Sequence, residues 1–363
     1  MNWRNRVEVS YQALADNARQ VQAQAAPRQL IAVVKADAYG LGLERCARIY
    51  HEAGALIIAV AALSEADRVR RAIPQARILL LGSPLPEERA AVVASAYEVC
   101  CTSAEEITEF ASLARHGRHA VHLFIDTGMG RAGCPPDHAP ELVQRIIDSP
   151  GLHLAGIASH YPMALDPTVS HDQERILSEI LDHLPPLPED CLIHFANSEG
   201  LVARPALGQA VRIGLLLTGV ADPSLGDLGL RPALRWISSV SVVKALPAGH
   251  GISYQHQHVL DRDSIVALIP VGYADGYPLA LSGRGQVLIQ GRRVPVLGRV
   301  TMDYLIVDVS ALPHLPRPGE EVVLIGRQDN EEISVAELAR LADTLPYDIL
   351  CGLRGRCEVV GVP

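Results

Sequence analysis

Several polar residues lie at the ends of apolar runs, where the working side chains of parallel α/β proteins are found. The most unusual is Lys35, inside the run "LIAVVKADAYGLG" at residues 30 to 42, because lysines are rarely buried without a partner. Arg131 follows the fifth of the apolar runs described below, and His160 ends the sixth. Asn197 and Ser198 end the seventh run, and Arg212 with Gly214 lies in the eighth. Each alone has an ordinary explanation as a surface, core, capping or ion-pair residue, but their coincidence at one rim favours a shared site.

The residue types limit the chemistry of such a site. A lysine amine that enters a barrel can form a Schiff base with a carbonyl substrate or with pyridoxal phosphate. Ser198, at a helix start, and backbone N–H groups near Gly214 would hold a phosphate. No metal site is expected, because His160 and His194 lack a matched set of carboxylates. The residues by themselves leave two possibilities open, a Schiff-base aldolase and a pyridoxal phosphate enzyme.

Eight short apolar runs supply the strands that must position these residues. They cover residues 31–36, 56–62, 77–82, 98–103, 121–126, 154–160, 191–197 and 210–216. Helical periodicity separates most of them; Leu43, Cys46, Ala47 and Tyr50, for example, fall on one helix face. A capping box over residues 103–106 predicts a helix start, and the similar segment "SEAD" at residues 64–67 predicts another. The alternation predicts an α/β fold with an N-terminal (β/α)8 TIM-type barrel. An open doubly wound sheet is less favoured, because no G-x-G-x-x-G follows the first strand.

The pattern changes after about residue 222, where "DPSLGDLG" is typical of a linker. Strand-like runs then follow without helices between them, until "SVAELARLA" predicts a helix that begins with Ser334 and Glu337 as a capping box. We therefore expect a barrel domain over residues 1–224 and a mostly β domain over residues 225–363. Residues 1–10 are expected to form a strand that joins the β domain.

Composition argues against several classes of function. The formal net charge is −9 and no basic run exceeds two residues, so neither nucleic acid nor an anionic membrane is expected as a partner. No apolar run among the 363 residues reaches membrane-span length, and residues 1–20 lack the apolar core of a secretion signal. Seven cysteines without a C-x-x-C pair indicate neither a disulfide framework nor a zinc site. We expect a cytoplasmic protein.

The motifs resemble those of alanine racemases. "AVVKADAYGLG", "DTGMGRAG", "FANSEG", "VGYADGYP" and "GRVTMDY" occur in that family's order and approximate spacing, and the resemblance covers about residues 5 to 358. It implies a barrel followed by a β domain, and an enzyme that interconverts L-alanine and D-alanine for D-alanine biosynthesis. It also implies that Lys35 carries pyridoxal phosphate, and that the active form is a head-to-tail homodimer with composite sites.

The resemblance assigns cofactor contacts to residues of the barrel. Arg131 would hydrogen-bond the phenolic oxygen of the cofactor, Arg212 would face the pyridine nitrogen, and His160 would link Arg212 to a tyrosine. The remaining contacts hold the phosphate or lie beside it: Tyr39, Asn197, Ser198, and the backbone of Gly214 and Leu215.

The resemblance also supplies a second catalytic base. Racemisation removes a proton from one face of the α-carbon and returns one to the other, so two opposed bases suit it. Lys35 would serve one face and Tyr273 of the partner subunit the other. Ionising an unperturbed tyrosine at pH 7 costs about 4 kcal/mol, so a cationic neighbour such as the His160–Arg212 pair is needed. The expected substrate contacts are Arg131, Met302 and Asp303, the last two from the partner.

Three positions depart from the family. Phe124 stands where most members have a lysine that becomes carbamylated and orients the arginine here numbered 131. Asp126, a small anion, water, a carboxylate from elsewhere, or the cofactor and solvent alone would then satisfy Arg131. Thr218 stands where a tyrosine is common, and Gly355 where some members place a tyrosine near the phosphate.

Other functions remain open at this point. A broad-specificity or serine racemase on the same scaffold is the main alternative, and a related decarboxylase is disfavoured by "GYADGYP". From another class, the chain would be a non-catalytic pyridoxal phosphate-binding protein, although such barrels usually lack a second domain. Chiral analysis after incubation with L-alanine separates a racemase from such a carrier.

Overall fold

A closed barrel of eight parallel strands forms the first part of the computed structural model, which describes residues 4–115, 117–353 and 356–362. Strand β1 (Asn5–Ser10) precedes the barrel and is not part of it. The barrel strands follow in chain order: β2 (Gln29–Val33), β3 (Ile57–Val60), β4 (Ile78–Leu80), β5 (Glu98–Cys101), β6 (His119–Phe124), β7 (Leu152–Ala158), β8 (Leu192–His194) and β9 (Ala210–Ile213). Strand β9 pairs with β2 and closes the ring, so all eight predicted strands and the predicted TIM-type barrel are confirmed.

Helices cover the outside of the barrel and alternate with its strands, since each amphipathic helix must bury its apolar face against the sheet. They are α1 (Tyr11–Ala25), α3 (Leu43–Glu52), α4 (Leu63–Ala72), α5 (Pro86–Ala94), α6 (Ala104–Leu113), α7 (Ala139–Ile147), α8 (Pro167–Asp182) and α9 (Ser198–Ala203). The short segment α2 (Lys35–Tyr39), between β2 and α3, is instead a left-handed turn at the mouth of the barrel. The one-sided burial predicted for α3 is confirmed, because its buried residues are the four that were expected.

The predicted helix starts are correct in part. Ser103 caps α6 by accepting a hydrogen bond from the backbone of Glu106, but the Glu106 carboxylate accepts from the backbone N–H of Thr102 rather than from that of Ser103. At residues 64–67 the prediction was wrong by two residues, because Ala62 is the N-cap and the helix begins at Leu63.

The second part of the chain is mostly β, as predicted. Its strands are β10 (Leu234–Ser239), β11 (Val242–Leu246), β12 (Gly251–Ile252), β13 (His258–Val259), β14 (Ser264–Ile269), β15 (Gln286–Ile289), β16 (Arg292–Pro295), β17 (Leu305–Asp308), β18 (Glu321–Gln328), β19 (Glu331–Ile333) and β20 (Glu358–Val362). Two helices interrupt them, α10 (Val335–Ala342) and α11 (Pro346–Gly352). Ser334 caps α10 through the backbone of Glu337, whose carboxylate instead binds Arg293.

The N-terminal strand ties the two parts together. Strand β1 lies antiparallel to β10 and parallel to β20, inside the sheet of order β16-β15-β18-β10-β1-β20. Val7 and Val9 of β1 are fully buried in that sheet. A second sheet, β11-β14-β17, meets the first through a bridge between Val296, just after β16, and Val307 of β17. Helix α11 contacts α2 at the mouth of the barrel.

None of the helices within the described ranges is both long enough and apolar enough to cross a membrane.

Candidate active site

A cavity of about 480 Å³ opens at the carboxyl end of the barrel strands. It brings together eight of the residues predicted from the sequence. They are Lys35, Tyr39, Arg131, His160, Asn197, Ser198, Arg212 and Gly214. Leu215 is buried behind Gly214 and is not part of the cavity wall. The carboxyl end of a (β/α)8 barrel is where its active sites lie, so this cavity is the candidate active site.

Lys35 lies after the first barrel strand, not at its end as the sequence suggested. Strand β2 ends at Val33, and Lys35 begins the turn α2. Residues 36 to 39 all have left-handed backbone angles, with φ between +53° and +57°. Such angles cost roughly 1–2 kcal/mol per residue outside glycine, so the turn needs support from its surroundings.

Two acidic side chains supply that support. Glu65, in α4, accepts a hydrogen bond from the backbone N–H of Ala36 at 2.7 Å. Asp37 accepts from the backbone N–H of Leu43 at 3.2 Å and forms an ion pair with Arg68. The left-handed turn is therefore held at both ends, and the amine of Lys35 is delivered to the cavity rather than to the barrel interior.

The surroundings of Lys35 favour the neutral amine. Burial is the main cause that lowers the pKa of Lys35, and the positive charge of Arg131 lowers it further. Cys351 and Glu65 oppose this shift, and Arg212 adds a smaller lowering effect. A lowered pKa increases the fraction of amine that is free to act as a nucleophile or base at neutral pH. The chain has only one other lysine, Lys244, which is exposed in β11.

One wall of the cavity has the form of a phosphate cradle. A Cβ built on Gly214 would lie 2.0 Å from the hydroxyl oxygen of Tyr39, so only glycine lets that hydroxyl reach the backbone. Ser198 is the first residue of helix α9, and Asn197 caps that helix by accepting from the backbone of Gly200 at 2.8 Å. Burial raises the pKa of Tyr39, which keeps its hydroxyl as a donor. Hydroxyl and backbone donors around a small concavity are what a phosphate monoester requires, and the residues present fit pyridoxal phosphate.

Tyr347 completes this wall and was missed from the sequence. Its ring lies 5.7 Å from the ring of Tyr39, centroid to centroid, and it lines the cavity from helix α11. The sequence suggested that a tyrosine near the phosphate was replaced by Gly355, a residue outside the described ranges. Only the packing of α11 against the barrel mouth shows that a tyrosine is present there. The signal that could have found it is "LPYD", a proline-initiated helix with an aromatic in its first turn.

Arg212 lies deep in the cavity wall with its terminal nitrogens fully engaged. One of them contacts Nδ1 of His194 at 2.7 Å and the carbonyl oxygen of the same residue. The other donates to the carbonyl oxygens of Ser159 and Phe195 and to Nδ1 of His160 at 3.1 Å. Burial lowers the pKa of Arg212 to about 10, so the guanidinium stays protonated at neutral pH. Its Nε–H has no acceptor among the residues that the structure describes and remains for a ligand.

The expected His160–Arg212 contact is therefore present, but the histidine is not cationic. Burial lowers the pKa of His160 to about 3, with further contributions from Arg212, Arg131 and Lys35. Because arginine can only donate, Nδ1 of His160 is the acceptor and the proton resides on Nε2. Among the described residues, no tyrosine is hydrogen-bonded to His160.

Phe124 and Arg131 do not have the relationship that was expected. Arg131 is exposed, so the cost of a buried, unpaired arginine does not arise. Asp126 does not replace a carbamate, because its carboxylate accepts from the backbone of residues 128, 129 and 130 and shapes their loop. Phe124 is buried with its ring centroid 5.9 Å from Cζ of Arg212, and so places an aromatic face near that cation.

The residues expected from the partner subunit lie outside this cavity. Tyr273 and Met302 are exposed in the second part of the chain, on adjoining loops whose backbones pair at 3.0 Å and 3.2 Å. The fully buried carboxylate of Asp275 anchors the Tyr273 loop, by accepting from the backbone of Gly272 and from Arg356. Arg356 also binds Asp303 at 2.7 Å, so one arginine clamps both loops.

Comparison with protein families agrees with this architecture. Residues 9–222 match the family model of the alanine racemase N-terminal domain, and residues 233–360 match that of the C-terminal domain. The chain belongs to the alanine racemase family. The resemblance drawn from the motifs is thereby confirmed.

Individual members of the family match over nearly the whole chain. An alanine racemase of Symbiobacterium thermophilum is 39% identical over 362 residues, which cover 96% of this chain and 94% of that protein. The crystal structure of alanine racemase from Streptomyces lavendulae is 32% identical, with a TM-score of 0.93 over 100% of this chain and 98% of that one. An alanine racemase from Bartonella henselae, solved with covalently bound pyridoxal phosphate, is 27% identical, with a TM-score of 0.92 over 99% and 100% of the two chains.

Proposed function

We propose that this chain interconverts L-alanine and D-alanine, with pyridoxal phosphate held in the barrel cavity. Membership of the alanine racemase family makes it a pyridoxal phosphate-dependent isomerase. The observation that carries the assignment to this site is that Lys35 shares one cavity with a phosphate cradle and with Arg212. No second function has an observation in its favour.

Different cavity residues would bind different parts of the cofactor. Ser198, Tyr39, Tyr347 and the backbone at Gly214 would hold the phosphate, and Lys35 would form the covalent link. The free Nε–H of Arg212 would donate to the pyridine nitrogen. Arg131 would contact the phenolic oxygen from the exposed rim. When bound there, the cofactor supplies an electron sink that acidifies the α C–H bond of the amino acid.

Lys35 is the base on one face of the substrate. Its lowered pKa, caused first by burial, allows the amine to accept the α-proton near neutral pH and to return it. The carboxylates of Glu65 and Asp37 hold the strained turn that aims it.

Tyr273 of a partner subunit is the base on the opposite face. It is exposed and outside the cavity of its own chain, as expected of a residue that serves another subunit. The Nε2–H of His160 is free to donate to the tyrosine oxygen and would connect it to Arg212. The positive charge that favours the tyrosinate then comes from Arg212, since His160 is neutral. Met302 and Asp303 of the partner would accompany Tyr273 toward the substrate.

Chiral chromatography tests the activity directly. Purified protein with added pyridoxal phosphate should convert L-alanine into a mixture of both enantiomers. A panel of other L-amino acids, with serine first, measures the substrate breadth. Retention of pure L-alanine by protein that carries a full complement of cofactor would refute the proposed function.

Subunit complementation tests the composite site. Lys35→Ala and Tyr273→Phe proteins are each expected to be inactive. After random exchange, half of the dimers are mixed and one of their two sites is intact, so about a quarter of wild-type activity should return. No recovery after exchange proven by mass spectrometry would place both bases on one chain.

Two further expectations stay predictions. The division into domains at residues 224 and 225 is supported by the two family matches, which end at residue 222 and begin at residue 233. The cytoplasm remains the expected location.

A further inference from the structure

A continuous row of polar side chains crosses the interior of the barrel below the active site. It runs from Arg212 to His194 at 2.7 Å, from His194 Nε2 to His122 Nδ1 at 2.9 Å, and from His122 Nε2 to Glu98 at 2.9 Å. Arg77 closes the row with two hydrogen bonds to Glu98, at 2.6 Å and 3.0 Å. Both histidines are fully buried. Since Glu98 opens β5, the row ends at the opposite face of the barrel from the cavity.

The chemistry of its two ends sets the direction of every hydrogen bond in the row. Arg212 can only donate, so Nδ1 of His194 accepts and its proton lies on Nε2. That proton is donated to Nδ1 of His122, whose own proton must then lie on Nε2 and point to the Glu98 carboxylate. Although burial opposes it, the hydrogen bonds from His122 and Arg77 lower the pKa of Glu98 to about 2, so this end stays anionic. The row is a one-way chain of donors from a cation to an anion.

Strands β6 and β7 have a local irregularity at His122 of the row. A Cβ built on Gly156, in the middle of β7, would lie 2.2 Å from Nδ1 of His122. The pairing of β6 with β7 also shifts register between Val121 and His122. Glycine inside a strand, at a register shift, marks a point where another group approaches closely.

The row matters because no carboxylate among the described residues is hydrogen-bonded directly to Arg212. Among the described residues, its hydrogen-bond partners are two imidazoles and the carbonyl oxygens of Ser159, His194 and Phe195. A buried charge without a compensating partner is costly, and hydrogen-bonded chains polarise one another in a medium of low dielectric constant. The first carboxylate that Arg212 reaches through hydrogen bonds is Glu98.

We propose that Glu98 is the remote counter-ion of Arg212, and that His194 and His122 transmit its charge as positioning residues for the guanidinium. Because its two terminal nitrogens are hydrogen-bonded to His194, His160 and carbonyl oxygens, the guanidinium is held in place, and among the described residues its Nε–H has no acceptor. The row thus acts on the cofactor-facing arginine from the far end of the barrel. The proposal rests on the proposed function in taking Arg212 as a cofactor contact.

Neutron diffraction from deuterated protein tests the row without any substitution. The expected map shows a deuteron on Nε2 of both His194 and His122 and none on Nδ1 of either. A deuteron on Nδ1 of either ring would break the one-way chain and overturn the proposal. This measurement does not depend on activity, so it separates failure of the proposal from failure of the proposed function.

Glu98→Gln tests the remote charge, with Glu106→Gln as the matched control. Both carboxylates are buried and bind an arginine, but Glu106 lies in the outer helix α6, where its carboxylate binds Thr102 and, among the described residues, no histidine. Glu98→Gln should lower kcat and the affinity for pyridoxal phosphate by about tenfold, which is the lower end of the loss found when the hydrogen-bond partner behind a metal-binding histidine is removed. The KM for alanine should stay within about twofold, because the proposed role of Arg212 is a contact with the cofactor and not with the substrate.

Glu106→Gln should leave kcat and cofactor affinity within about twofold of wild type, whatever its effect on melting temperature. Equal effects of the two substitutions on kcat and cofactor affinity would reduce the row to a structural feature. If Glu98→Gln does not fold, Gly156→Ala, which displaces His122 through the 2.2 Å contact, should produce the same loss of cofactor affinity. Unchanged affinity in that variant would equally refute the proposal.

Discussion

Gly214→Ala is the sharpest probe of the proposed phosphate cradle, because its effect can be worked out from one contact. The added Cβ would lie 2.0 Å from the hydroxyl oxygen of Tyr39 and 2.6 Å from Cζ. Real contacts are never so short, so the Tyr39 ring must move. That ring is buried and packs against Tyr347, which leaves it little room. The φ of Gly214 is −130°, a value open to L-residues, so the effect is steric rather than conformational.

The expected loss follows from the cost of overpacking. Forcing a methyl group into a filled site costs about 1–3 kcal/mol. If the strain falls on the bound state, this corresponds to roughly a 5- to 150-fold weaker binding of pyridoxal phosphate. Isothermal titration of the apo-protein with the cofactor measures the change.

Gly82→Ala is the matched control for this measurement. Gly82 also follows a barrel strand at the same rim, next to Leu81 of the cavity wall, and a Cβ there meets nothing within 4 Å. Its cofactor affinity should equal that of wild type. If Gly214→Ala binds the cofactor as tightly as Gly82→Ala does, the phosphate does not lie against Tyr39 and Gly214, and the cradle has been assigned to the wrong wall.

Four other outcomes are expected. Lys35→Ala should abolish racemisation and the borohydride-reducible cofactor link seen by mass spectrometry, while the exposed Lys244→Ala should change neither. Tyr273→Phe should keep the cofactor and lose racemisation, yet still exchange the α-proton of one enantiomer, expected to be D-alanine, as followed by deuterium uptake from heavy water; equal exchange of both enantiomers would contradict the role. With Phe124 in place of a lysine, added bicarbonate should leave activity unchanged at constant ionic strength. Burial lowers the pKa of His119 from 6.5 to about 4. Below pH 6.5 the unfolded chain therefore binds a proton that the folded chain does not, and this group lowers the free energy of unfolding by up to about 3 kcal/mol as the pH falls toward 4. His119→Asn should make the free energy of unfolding, measured by chemical denaturation, depend less steeply on pH in this range.

The amino-acid sequence by itself determined the strands, most helices and the family. Strand and helix signals are local, since they depend on periodicities of two and 3.6 residues that a short window contains. The eight apolar runs could therefore be read in order, and their carboxyl ends marked Lys35, Arg131, His160 and Arg212 as residues of one rim. The motifs around Lys35 and Tyr273 predicted the activity, because each motif is a contiguous segment that can be recognised from the sequence.

The tertiary structure alone decided how side chains that are far apart in the sequence meet. Glu98, His122, His194 and Arg212 belong to four different strands, and no local pattern indicates that they share hydrogen bonds. Tyr347 reaches the cradle only because α11 packs on the barrel mouth. Charge and burial are likewise properties of the assembled fold: Arg131 is exposed and His160 is neutral, because solvent access and the positions of other cations are set by packing and not by neighbours in the chain.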